Sequence, residues 1–144
     1  MARSKIGFPA VGPSGAWTAY TPTLVIGVTV AKTVNYAKYL QVGKTVFVQV
    51  NLTATASGTA SSVVQVGLPS GLNPVLGTGA TAVIGSFSII DAGTGFFTGA
   101  AIHSPTGIVV GLANGSGGGM GESVPAMTVV SGDFIGFSVM YEVA

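Results

Sequence analysis

A handful of residues in this chain could do chemistry, and most fail on spacing. Gly43-Lys44-Thr45 copies the end of a phosphate-binding loop, in which backbone N–H groups and a lysine cradle a polyphosphate. That motif requires a glycine five residues before its last glycine, and position 38 is Lys. It also requires a helix to follow, whereas Val46-Phe47-Val48-Gln49-Val50 alternates as a strand does. The segment is therefore a turn. His103 is the only histidine, so any serine nucleophile would depend on it for a base, and no serine stands in a Gly-x-Ser-x-Gly elbow. The carboxylates are Asp91, Glu122, Asp133 and Glu142. Glycoside hydrolysis needs two of them paired across a sugar, and Asp91 and Asp133 fall in turn sequences. Cysteine is absent, which removes thiolate nucleophiles, sulfur ligands and disulfides together. One histidine and four carboxylates do not suggest a dedicated metal site. The expectation is a non-enzymatic protein with no catalytic, cofactor or metal residues.

Composition points the same way. Only 6% of the 144 residues are charged and 48% are hydrophobic, against a usual charged share of about a quarter. With so few charges a free monomer has little to keep it soluble, and contact with other copies or a larger body would hide its apolar surface. The net charge of +1 offers no basic field for nucleic acid. Mean hydropathy is high, at +0.69, yet Gly, Ser and Thr interrupt every run, so no stretch approaches the roughly 20 apolar residues of a spanning helix. No apolar block follows Arg3 and Lys5, which argues against a signal peptide. An eight-stranded outer-membrane barrel would need paired aromatic girdles, and the aromatics here are scattered. Neither nucleic acid nor membrane is expected as a partner.

The elements that would position any site read as strands. Helix formers at 3.6-residue spacing are missing. From Lys44 to Ala56, Val46, Val48, Val50 and Leu52 alternate with Phe47, Gln49, Asn51 and Thr53, so the first set should be core. From Phe134 to Val143, Ile135, Phe137, Val139, Tyr141 and Val143 should face inward, leaving Phe134, Gly136, Ser138, Met140 and Glu142 outside. Further strands are expected near Thr23–Val30, Val34–Val42, Ser62–Leu68, Ala80–Ile90, Gly95–His103 and Thr106–Ala113, the last two as a hairpin. Gly, Pro, Ser and Asp punctuate the gaps. About eight short strands predict an all-β fold, a single antiparallel β-sandwich of jelly-roll-like form covering residues 17–144. Residues 1–16, with Pro9, Pro13 and three glycines, read as an extended N-terminal arm, and Asn114–Gly121 as a flexible loop.

Three patches resemble a β-sandwich domain of tailed-bacteriophage virion proteins, of the capsid-decoration and minor-tail type. They are Trp17-Thr18-Ala19-Tyr20-Thr21-Pro22-Thr23, then Tyr36 through Val46 with its central Val42-Gly43-Lys44, and Ser131-Gly132-Asp133-Phe134-Ile135 closing on Tyr141-Glu142. They occur in the family's order and frame the chain from Trp17 to Val143. The resemblance implies a β-sandwich, trimeric assembly and a place on the virion. Physically, Trp17 and Tyr20 could cap one end of the core, Gly43 reverses the chain, and Gly132-Asp133 is turn chemistry.

The expected function is thus structural: a capsid decoration protein on the outside of the head, homotrimeric, made in the host cytoplasm and bound to the major capsid protein or another virion protein. The arm would carry the partner contacts through Arg3, Lys5, Phe8 and Pro9, by strand addition or groove packing. The alternative is a tail-tip or fibre protein that recognises a host-surface saccharide, for which Tyr36, Tyr39, Phe96 and Phe97 are the available aromatics.

Overall fold

The computed structural model describes residues 15–75, 82–104, 108–113, 119–122 and 126–144. The fold is all-β and antiparallel. Among the described residues there are ten strands: β1 (Thr18–Ala19), β2 (Leu24–Ile26), β3 (Val28–Thr29), β4 (Lys32–Val42), β5 (Thr45–Ala54), β6 (Gln65–Gly67), β7 (Ala82–Asp91), β8 (Gly95–Ser104), β9 (Ile108–Ala113) and β10 (Phe134–Glu142). They make one sheet in the order β1-β4-β5-β10-β7-β8-β9-β6-β2-β3.

That order forces the sheet to curl. β3 and β4 stand eight places apart, which would be about 38 Å in a flat sheet. Yet Thr29 and Lys32 are joined by a link that spans roughly 10 Å at most. The sheet therefore rolls into a half-barrel whose two halves face each other across one core, which is the form the expected sandwich takes. Across the seam, the Tyr20 hydroxyl donates to the Gly67 carbonyl at 3.2 Å.

The core is the inward set of the alternating strands. Val46, Val48, Val50 and Leu52 are buried, as are Ile135, Phe137, Val139, Tyr141 and Val143, while Gln49 and Asn51 are exposed and Thr53 is intermediate. β10 lies between β5 and β7, pairing Val139 with both Val48 and Gly85. The register yields a test. Val48→Ala should destabilise by about 1–4 kcal/mol, depending on how far the cavity collapses. Thr53→Ala should be nearly neutral, since it removes only an exposed acceptor of the Asn35 side-chain amide. Equal losses in urea unfolding would mean that β5 is buried on both faces.

The count of ten instead of eight has local causes. The expected strand Thr23–Val30 breaks at Gly27, whose φ of +68° bends the chain so that β3 folds back on β2. β1 is a two-residue addition at the edge of β4. The β8–β9 hairpin is present, pairing Ser104 with Ile108. Gly43, at φ +60°, takes the first central position of the two-residue β4–β5 turn, as a type II′ turn requires, and a strand follows it.

Two expectations need correction. Trp17 does not cap the core: it is 43% exposed, because β1 is a two-residue edge strand with both residues exposed. Tyr20 takes that role alone, packed edge-on against Tyr39 at 6.1 Å. The segment read as a flexible loop is also anchored at its end. Met120 is fully buried, its N–H donates to the Gly111 carbonyl at 2.8 Å, and its carbonyl accepts from Val64 at 3.0 Å. Residues 114–118 lie outside the described residues.

Candidate partner-binding surface

Among the described residues, the groups that could do chemistry are buried, engaged or far apart, save that the β10–β7 register sets Asp91 beside the engaged Asp133. His103 points inward from β8 and is 1% exposed, and neither ring nitrogen has a hydrogen-bond partner among the described residues. Burial pushes its pKa below the ordinary histidine value. Asp133 is fully buried, and both its oxygens accept backbone N–H groups: Oδ1 from Ala92 at 2.9 Å and Oδ2 from Val130 at 2.8 Å. Glu142 stands at the opposite end of β10, roughly 30 Å away along the strand. No group of three His, Asp or Glu among the described residues could hold a metal ion. Burial, with Tyr141 adding to it, raises the pKa of the Tyr20 hydroxyl, and burial raises that of Tyr141.

The depressed His103 value has a measurable consequence. Its folded-state pKa lies below the unfolded value near 6.5, so the unfolded chain binds the extra proton first as pH falls. The neutral-histidine stability is present above about pH 6.5 and is lost below it, at up to about 1.4 kcal/mol per pH unit. His103→Leu should remove that slope between about pH 6.5 and 5, above the range where carboxylates titrate. Denaturation midpoints that fall in parallel for both proteins would show that His103 is not the group responsible.

Among the described residues, the outer face of β4, β5, β10, β7 and β8 is a candidate contact surface. Register lays it out in rows across the strands. Phe134, Ile90 and Phe96 are adjacent on β10, β7 and β8, and Phe96 is 63% exposed. Two steps further along the strands the row is Asn51, Gly136, Ser88 and Thr98, over a shallow depression of about 270 Å³. Beyond a further row of Gln49, Ser138 and Ser86 lies a cleft of about 290 Å³ lined by Trp17, Phe47, Gln49, Ile84, Gly85 and Met140. Met140 is 56% exposed. Both depressions are open and fall below the usual size of small-molecule pockets, roughly 300–1,000 Å³. Neither lining contains a charged side chain. Exposed apolar side chains such as Phe96 at one end of this face, and Met140 and Trp17 at the other, mark contact surfaces where they cluster in other proteins.

The four aromatics named for a sugar site are not brought together. Tyr39 and Phe97 pack against the core. Tyr36 and Phe96 are exposed but sit on β4 and β8, about 19 Å apart across four strand spacings. The Lys38 ammonium lies 5.2 Å from the Tyr36 ring centre. Arg3, Lys5, Phe8 and Pro9 lie outside the described residues. The outer apolar side chains carry a sequence signal: Phe47, Phe134 and Met140 are large apolar residues on the outward phase of otherwise regular alternation. No family model, curated protein or solved structure matches the chain.

Proposed function

We propose that the chain is a non-catalytic structural protein of a tailed-phage virion, a decoration protein that assembles as a homotrimer on the outside of the head and stabilises it. The observation that carries the assembly part is the outer face. Large apolar side chains stand exposed there, on a protein with nine charged residues in 144. Burying them between copies or against a capsid removes a surface that would otherwise drive aggregation. The virion part rests on the three sequence patches. They are far apart in the chain, but they supply β1, β4, the β4–β5 turn with the start of β5, and β10, which are neighbours in the sheet. The three patches thus lie on one continuous piece of the sheet, which supports reading them together.

A second reading, a tail-tip or fibre protein for a host-surface saccharide, keeps Tyr36 and Phe96 as exposed aromatics. Imaging of intact particles carrying a tagged copy separates the two. Label distributed over the head is the expected result. Label at the tail alone overturns the decoration reading in favour of the second, and unlabelled particles overturn both.

A further inference from the structure

We infer that the cleft beside Trp17 is the receptor for the N-terminal arm of a second copy of this chain. The inference rests on the reading of the protein as an assembling one, and it names the contact that links the copies.

The cleft leaves large apolar side chains uncovered. Met140 and Trp17 are 56% and 43% exposed on its walls, with Phe47 and Ile84 beside them. A ligand for it should be narrow and uncharged and offer apolar side chains to Phe47, Ile84 and Met140, since the lining carries no charged side chain and its polar part is backbone, the Gln49 amide and the Ser138 hydroxyl. The segment Ile6-Gly7-Phe8-Pro9-Ala10-Val11 has that chemistry: four apolar side chains larger than alanine, a proline that favours an extended chain, and no charge. Arg3 and Lys5 precede it and would stay in solvent.

The direction of the chain favours a neighbour over the molecule's own cleft. β1 runs antiparallel to β4, pairing Thr18 with Tyr39 and Ala19 with Lys38. Followed backwards from Thr18, the backbone therefore heads toward Val42, and Gly15 packs against the Gln41 carbonyl. At Gly15 the chain is leaving the sheet at the rim formed by the β4–β5 turn. The fourteen residues before it reach roughly 45 Å when extended, enough to cross to an adjacent copy. A small apolar segment seated in a groove of another subunit is an established mode of association. Each copy both gives an arm and offers a cleft, so three of them can close a ring.

Trp17 is the only tryptophan, so it reports on the cleft without labelling. Acrylamide quenching and emission wavelength would be measured across a concentration series, alongside sedimentation, for the full chain, a chain lacking Met1–Val11, and Phe8→Ser in the full chain. In the full chain, association should shift the emission to the blue and reduce the quenching constant by roughly half or more, by mass action. The truncated chain should stay quenchable at every concentration and associate less. Phe8→Ser should fall between the two, and a synthetic peptide of residues 1–14 should restore protection to the truncated chain. Association with no change at Trp17 overturns the arm-in-cleft contact while leaving assembly standing. A full chain that never associates overturns assembly itself. Protection of Trp17 in a monomer, independent of concentration, places a molecule's own arm in its cleft and overturns the exchange between copies.

Discussion

Asp133→Ala should destabilise the protein by about 2–4 kcal/mol, one of the two largest losses expected from a single change. The carboxylate is fully buried and its two oxygens take the Ala92 and Val130 N–H groups, at 2.9 and 2.8 Å. The Asp133 carbonyl in turn accepts from Ala54 at 2.8 Å. One residue therefore ties the β7–β8 turn and the segment leading into β10 to each other, with its backbone joined to the end of β5. Alanine would leave two part-buried donors without their acceptors, at about 1 kcal/mol each because Ala92 and Val130 are themselves exposed, and would open space where the buried side chain stood. Asp133→Asn keeps one acceptor oxygen and should lose about half as much. Urea unfolding with an unchanged slope checks both values. A loss below about 1 kcal/mol for the alanine variant would mean that water replaces the carboxylate without strain.

Phe87→Ala should cost a similar amount, about 3–5 kcal/mol. The ring is 1% exposed and stacks on Phe137 at 6.1 Å with an interplanar angle of 10°. Its other side rests on the backbone of Gly111. A Cβ at Gly111 would meet Phe87 Cδ1 at contact too close for any real pair, with the Met120 sulfur 2.9 Å away. β7 and β9 are separated by β8 in the sheet, so this contact exists only because the sheet curls sharply there. Gly111→Ala should therefore cost about 1–3 kcal/mol through overpacking. The two changes are coupled. Combined with Phe87→Leu, Gly111→Ala should cost less than it does alone, and a double-mutant cycle reads the difference. Strict additivity would show that the ring and the glycine are not in contact.

The strands were legible because alternation is a local property. Val46, Val48, Val50 and Leu52 are read correctly from period two alone, and so are Ile135 through Val143. The hairpin of β8 and β9 follows from the Pro105-Thr106-Gly107 spacing between two alternating runs. What alternation does not contain is pairing over distance. Nothing in Phe134–Glu142 says that β10 inserts between β5 and β7, so the single curled sheet was not foreseen. Gly111 looks like one glycine among 23 until Phe87 is seen lying on it. Asp133 was legible only in part. Gly132-Asp133 is a turn signal, but the two N–H groups it accepts come from residues 3 and 41 positions away. The outer face was legible in principle. Phe47, Phe134 and Met140 break the polar phase of their strands, and an apolar residue out of phase on a regular strand asks what covers it.

Assembly is the central claim, and the mass of the purified protein in solution tests it most directly. Sedimentation equilibrium of the 14.2 kDa chain over a wide concentration range should give a species of three times that mass. The species should persist in high salt, because nine charges leave little for salt to screen and the contact surface is apolar. A chain that remains a stable, soluble monomer at the highest concentration reached would contradict the account, since its exposed Phe96, Met140 and Trp17 would then need no partner.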